Sequence, residues 1–446
     1  MGMISCAKGC HVVEESSPRQ QASGRWADQN YQCSAGGHLS KSMSLSSQSS
    51  LGSLPSLDLH QQRPSTLHHC VLTLCGHSSY VSAIAADGAS LYSGSSDGEI
   101  RSWRLGITCD VGSGGDDGGA GGYAGQVVAV RRSAVKALVV SRGRLFGAYQ
   151  DRRIHVWQIS HQRETSHAGN YRLAATLPTA GDRLLSLLSP ESYVEVRRHK
   201  KCTWVHHVDA VSALALSHDG ALLFSASWDR TFKVWRTSDG KCLESVADAH
   251  HDAVNAIVVS RDGTAYTGSA DTTVKVWRRL PGETKHSLAG TLERHRSAVN
   301  ALALSPDGSV LYSGACDRSV VVWEGGGGGS SGGGSSSTPM VVAGALRGHT
   351  KAVLCLATVG ELVCSGSADR SARVWRRGLD KSYSCLAVLE GHRAPVKCLA
   401  AAVGGEMQED EADACGGVFH TIYTGSLDCD IKVWRVYAPF LQQFAE

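Results

Sequence analysis

Residues 222–235 read Leu-Leu-Phe-Ser-Ala-Ser-Trp-Asp-Arg-Thr-Phe-Lys-Val-Trp, and this stretch decides the fold. The runs Leu222 to Ser227 and Thr231 to Trp235 are of strand length and composition, and Asp229 marks the turn between them. Upstream, Ala210 to Leu216 alternates, and Asp219-Gly220 turns the chain back toward Leu222. With an outer strand after Trp235, the unit supplies four short antiparallel strands.

The unit recurs. Trp103, Trp157, Trp235, Trp277, Trp323, Trp375 and Trp434 each stand six residues after an acid, namely Asp97, Asp151, Asp229, Asp271, Asp317, Asp369 and Asp428. Four residues before the acid comes a hydroxyl residue, Ser93, Ser225, Thr267, Ser313, Ser365 or Thr424, with Gly147 as the exception in the second unit. Further upstream, four residues before a Val, stand His77, His207, His250, His295, His349 and His392, and Arg131 takes that place in the second unit. The closest Trp spacing, Trp235 to Trp277, is 42 residues. Seven units of four strands at this period predict an all-β, seven-bladed propeller.

In its Gly-His, Ser-Gly-Ser-x-Asp and Val-Trp landmarks the chain resembles the WD-repeat family over about residues 66–436. The segment Tyr193-Val194-Glu195-Val196-Arg197-Arg198-His199-Lys200-Lys201, with Ser227 to Trp235, resembles plant Jingubang-type proteins. That group is often labelled myosin heavy chain kinase B-like, although this chain has no kinase-like segment. The resemblance implies that each Trp indole, hydroxyl, His and Asp form one buried hydrogen-bond chain, and that the first segment of each repeat completes the preceding blade. Residues 67–74 are then the outer strand of the blade ending at Trp434, which closes the ring and removes the exposed sheet edges.

Ser, His and Asp together also suggest a hydrolase. A catalytic set is needed once, at a cleft, whereas this one recurs six times at constant Asp-to-Trp spacing, so it reads as structural and no catalytic residue is assigned. The Gly-x-Gly-x-x-Gly matches between Gly325 and Gly334 lie in a Gly/Ser tract without strand-to-helix context and read as linker. Cys70, Cys75 and His77 are close in sequence, but His77 has its structural place and no second ligand pair follows, so neither metal nor cofactor is expected.

Composition agrees with this reading. The 50 Gly against 10 Pro suit many tight turns, and the 15 scattered Cys suit a reducing compartment. A formal charge of +3 on 446 residues gives no global basis for nucleic-acid or membrane binding. The start Met-Gly-Met-Ile-Ser-Cys misses a myristoylation signal at Cys6, no apolar h-region follows, and no apolar run approaches 18 residues. A cytoplasmic or nuclear protein is expected. Residues 1–65, rich in Ser and Gln, read as a disordered tail, 66–436 as the propeller and 437–446 as a short C-terminal tail.

Insertions at 106–125, 158–170, 324–340 and 404–417 fall on the bottom face, and the insert at 178–205 on the top. The latter carries Leu184, Leu185, Leu187 and Leu188, a short helix by pattern, and the basic run Arg197 to Lys201, which reads equally as a nuclear localisation element or a solvated charge cluster. Beside the tetrad positions stand Tyr80, Arg132, Trp228, Arg230, His251, Arg296, Arg318, Arg370 and Arg393. The family resemblance places these on the top rim, where Arg with aromatics suits an acidic or phosphorylated protein segment. The expected function is a protein-binding adaptor, regulatory and directed at a transcription factor if the plant resemblance holds. The rival readings are a cullin-type ubiquitin ligase substrate receptor, against which no Asp follows any of the seven Trp residues, and a nucleic-acid-binding propeller, against which the near-neutral charge counts.

Overall fold

The computed structural model describes residues 56–57, 68–88, 90–104, 125–160, 170–182, 184, 193–197, 200–280, 282–325, 340–403 and 417–439. Seven four-stranded antiparallel sheets form a seven-bladed β-propeller. The third blade shows the plan: the inner strand Val211–Leu216 pairs with Leu222–Ser227, that with Phe232–Arg236, and that with the outer strand Cys242–Val246. The other blades occupy 81–130, 135–177, 254–293, 299–346, 353–389 and 396–439.

Closure follows the expected route. His68–Leu74 pairs with Ile431–Pro439 and becomes the outer strand of the seventh blade, with Leu74 opposite Ile431. The inner strand of the first blade packs on the inner strands of both the second and the seventh. Side chains on the inner strands bond forward to the next blade: Asn255 Nδ2 donates to Val299 O at 3.0 Å, Asn300 Nδ2 to Val353 O at 2.8 Å, and Cys398 Sγ to Val81 O at 3.8 Å across the closure.

The core lies in the seams between blades. Phe224, Phe232 and Val234 of the third blade pack with Val254, Ile257 and Trp277 of the fourth, and Leu74, Tyr423 and Ile431 of the seventh with Val81, Leu91 and Trp103 of the first. A strand buried on both faces reads as a near-continuous apolar run, and Leu222–Ser227 is such a strand.

The 178–205 insert begins with helical residues 180–182 and 184, then forms a hairpin of Tyr193–Arg197 with Lys200–Thr203. Of the Leu pattern only Leu184 is described, and it is helical and exposed. Leu185, Leu187, Leu188, Arg198, His199, the insert interiors 105–124, 161–169, 326–339 and 404–416, and residues 440–446 lie outside the described residues. So does the tail, apart from Ser56 and Leu57. Those two correct the expectation of a structureless 1–65, because Ser56 forms a parallel bridge to Ala345 in the fifth blade. No helix among the described residues is long and apolar enough to cross a membrane.

Candidate functional site

One face of the propeller carries the turns between second and third strands and the connections from each outer strand to the next inner one. Under these loops lie the hydrogen-bond chains. In the third blade Trp235 Nε1 donates to Ser225 Oγ at 2.8 Å, Ser225 Oγ lies 2.8 Å from His207 Nε2, and His207 Nδ1 lies 3.0 Å from Asp229 Oδ2. The carboxylate can only accept, so Nδ1 carries the proton and Nε2 accepts from the hydroxyl. The same chain joins Trp277, Thr267, His250 and Asp271; Trp323, Ser313, His295 and Asp317; Trp375, Ser365, His349 and Asp369; and Trp434, Thr424, His392 and Asp428.

The order Asp, His, hydroxyl matches that of a hydrolase triad. Each of these hydroxyls, however, also accepts an indole N–H and is wholly buried, so no substrate carbonyl can reach it. Losing the indole donor leaves a buried hydroxyl underused. Trp277→Phe is therefore expected to cost about 1–3 kcal/mol in urea unfolding.

Two blades depart. In the first, Trp103 and His77 meet Ser93 Oγ at 2.7 and 2.6 Å, but Asp97 does not complete the chain. Ser78 Oγ donates to Asp97 Oδ2 at 2.6 Å and Ser95 Oγ to Oδ1, so the carboxylate is held away, and Glu99 stands 3.4 Å from His77 Nδ1 instead. The assignment of Asp97 to that tetrad is corrected accordingly: a Ser hydroxyl after the His captures the acid. In the second blade Gly147 opens the space that the hydroxyl residue fills elsewhere; a Cβ there would come 3.0 Å from the Trp157 ring and 3.2 Å from Tyr149. Buried Tyr149, His155 and Trp157 pack as an aromatic cluster, with Tyr149 and His155 centroids 5.0 Å apart.

Burial by itself would raise the tetrad acids, yet the His and Thr or Ser hydrogen bonds hold Asp229, Asp271, Asp317 and Asp369 well below the ordinary carboxylate range. Desolvation pushes His207 down, and His155 down to about 4. Both effects have the same sign. The His contribution is full above about pH 6.5 and is lost as pH falls, because the unfolded chain takes protons that the folded one refuses; the Asp contribution is lost only at lower pH still. Stability is expected to hold from pH 8 to 7 and to fall between pH 6.5 and 4. His155→Phe should remove a part of that loss on the order of 3 kcal/mol at pH 4, read from melts across the range.

Above the tetrads sit the rim residues expected from the sequence. Tyr80, Arg132, Trp228, Arg230, His251, Arg296, Arg318, Arg370 and Arg393 are all exposed. They share one face but spread over all seven blades, a ring and not one cluster. Trp228 is 37% exposed, and Lys136 Nζ stands 5.0 Å over its ring, so it is a rim residue and not core. Arg152, Arg230, Arg318 and Arg370 all lie at φ between 70° and 73°, immediately after the tetrad Asp. A side chain there costs backbone strain that Gly avoids.

Sequence reasoning missed the counter-charges. Arg230 pairs with Asp248 at 3.6 Å and Arg393 with Asp430 at 3.1 Å, and Asp209 and Asp252 are exposed near the third and fourth blades. Among the described residues no carboxylate lies within 4.0 Å of the guanidinium groups of Arg296, Arg318 or Arg370, and Lys351 and Lys397 are exposed nearby in sequence. Among the described residues, exposed Arg without such a carboxylate thus stands on blades five and six, and on the second blade at Arg132 and Arg152, whereas Arg393 of the seventh blade is already paired. No group of three His, Cys, Asp or Glu among the described residues could hold a metal, and Cys70 and Cys75 are exposed free thiols.

Comparison with known proteins agrees with this architecture. The chain is 29% identical over 175 residues to the small ribosomal subunit protein RACK1 of Drosophila melanogaster, covering 38% of this chain and 52% of that one. It is 31% identical over 187 residues to protein ROOT INITIATION DEFECTIVE 3 of Arabidopsis thaliana, covering 39% and 40%, and 27% identical over 204 residues to autophagy-related protein 16 of the same plant, covering 44% and 36%. The chain thus spans about half or less of the length of these relatives. The WD40 β-propeller domain of Doa1, a crystal structure, superposes with a TM-score of 0.56 at 20% identity, over 82% of this chain and 96% of that one. The family model described as WD domain, G-beta repeat matches residues 68–104, 199–236, 240–278, 286–324, 340–376 and 383–435, passing over the second blade, which has Arg131 and Gly147 at the His and hydroxyl positions. With more than half its length matched and seven blades built on the repeat, the chain belongs to the WD40 family.

Proposed function

We propose that this protein is a binding platform that holds an acidic or phosphorylated segment of another protein on the top face, at Arg296, Arg318 and Arg370 of blades five and six. WD40 propellers typically serve as protein-interaction scaffolds. The observation that carries the finer reading is the exposure of Arg296, Arg318 and Arg370 with no carboxylate among the described residues within 4.0 Å of their guanidinium groups. Guanidinium groups without a nearby carboxylate can take carboxylate or phosphate bidentately. The same proposal extends to a regulatory role in a plant cell, in cytoplasm or nucleus, with a transcription factor as partner, supported by the resemblance of residues 193–201 and 227–235 to the Jingubang-type group.

The test uses an array of acidic and phosphorylated peptides. The doubly substituted Arg318→Glu, Arg370→Glu chain should lose at least about tenfold in affinity for every peptide the natural chain binds, while its stability stays within about 0.5 kcal/mol, as for exposed charges. Arg230→Glu should matter less, since Asp248 already pairs with Arg230. Unchanged peptide capture by the double variant overturns the proposal, and a steep salt dependence with oligonucleotides in its place would favour nucleic acid.

A further inference from the structure

We propose that the seam between the outer strands of the fifth and sixth blades is a peptide seat, and that this chain fills it with its own Ser56-Leu57. Leu57 bridges the two blades through its backbone. Its N–H donates to Ala345 O at 3.2 Å, on the outer strand Met340–Leu346 of the fifth blade, and its carbonyl accepts from Tyr383 N at 3.2 Å, at the start of the outer strand Tyr383–Leu389 of the sixth. Ser56 adds a parallel bridge to Ala345. The Leu57 side chain packs against the seam cluster that includes Val320, Val322, Trp375 and Tyr383.

The seat is shaped for this occupant. A Cβ on Gly344 would come within 2.5–2.9 Å of the Leu57 side chain, so only Gly leaves room. At Gly290, the corresponding register position of the fourth blade, a Cβ would meet open space. The third blade shows what the seam requires. There the position opposite Val234 is Glu244, as Gly344 is opposite Val322, and Glu244 Oε1 accepts from the backbone N–H of His286, at the start of the fourth blade's outer strand. His286 lies opposite Arg279 as Tyr383 lies opposite Arg377, each two residues past the blade's Trp. The N–H that a side chain satisfies in the third seam is satisfied in the fifth by the carbonyl of Leu57, a residue more than 300 positions earlier in the chain. Recognition by paired backbone groups with one side chain in a pocket is the mode by which extended peptides add to a sheet edge.

The experiment uses the full chain with Leu57→Asp, which vacates the seat without touching a blade, and a labelled peptide of residues 52–61. By hydrogen exchange the Tyr383 amide should open at least tenfold faster in this variant than in the natural chain. The vacated seat should take up the labelled peptide saturably, the natural chain should bind it at least tenfold more weakly, and a peptide carrying Leu57→Asp should not bind. Gly344→Glu, which imitates Glu244, should expel the segment and speed exchange of the Leu57 amide; where that variant fails to fold, the Leu57→Asp arms still decide. Equal exchange of Tyr383 in both chains, uptake by both alike, or uptake by neither overturns the proposal. A top-face variant such as Arg318→Glu should leave every arm unchanged, so this result and the platform proposal fail independently.

Discussion

A chain lacking residues 1–74 is expected to show no cooperative thermal transition, whereas one lacking residues 1–55 should melt close to the full chain. The first deletion removes the strand that completes the seventh blade. Leu74 is 1% exposed and packs with Val81, Leu91, Trp103 and Ile431 at the junction of the last blade with the first. Truncating such a Leu to Ala alone costs about 2–5 kcal/mol. The deletion also takes the backbone pairs from His68↔Val436 to Leu74↔Ile431 and leaves Ile431–Pro439 as an open edge. Against a total stability of roughly 5–15 kcal/mol, that loss leaves little margin. Circular dichroism melts of the two truncations decide it, and matching transitions would show that the ring does not depend on this strand.

Glu244→Ala should destabilise the chain by about 3–5 kcal/mol in urea titration, as much as truncating a large core side chain. The carboxylate is buried and meets His286 twice, at its backbone N (2.6 Å) and at Nδ1 (2.7 Å), across the seam of blades three and four. Phe224 and Phe232 pack edge-on against the His286 ring, so water has little room to replace the lost acceptor. Removing one partner of a buried pair leaves the other without compensation, which is why the expected loss exceeds that of a surface ion pair. Glu244→Gln keeps an acceptor for the N–H and should cost less than the Ala variant. A loss under about 1 kcal/mol for Glu244→Ala would mean that solvent enters the seam and substitutes for the carboxylate.

The rim was legible in part. Trp228 immediately before Asp229 reads as a rim residue from position alone, and the structure leaves it exposed under Lys136. Which Arg residues are available for binding was not legible, because Asp248 and Asp430 reach Arg230 and Arg393 from separate loops, and no spacing in the chain announces that approach. Glu244 has the same character. It sits in an ordinary-looking strand, Cys-Leu-Glu-Ser-Val, and its partner is 42 residues away.

By itself the sequence determined the number of blades, the residues of six tetrads, of which five are intact in the structure, the closing strand and the anomaly of the second blade. Each of these is carried by contiguous residues at fixed offsets, since a turn after Asp and a Trp six residues later need only local geometry to find their places. Tertiary structure decided whether Asp97 or Glu99 faces His77, which Arg remain without a nearby carboxylate, how Glu244 satisfies His286, and where Leu57 lodges. In those cases the outcome depends on which donors and acceptors the packing of separate strands brings within about 3 Å of each other, and buried polar groups take whichever partner lies in reach.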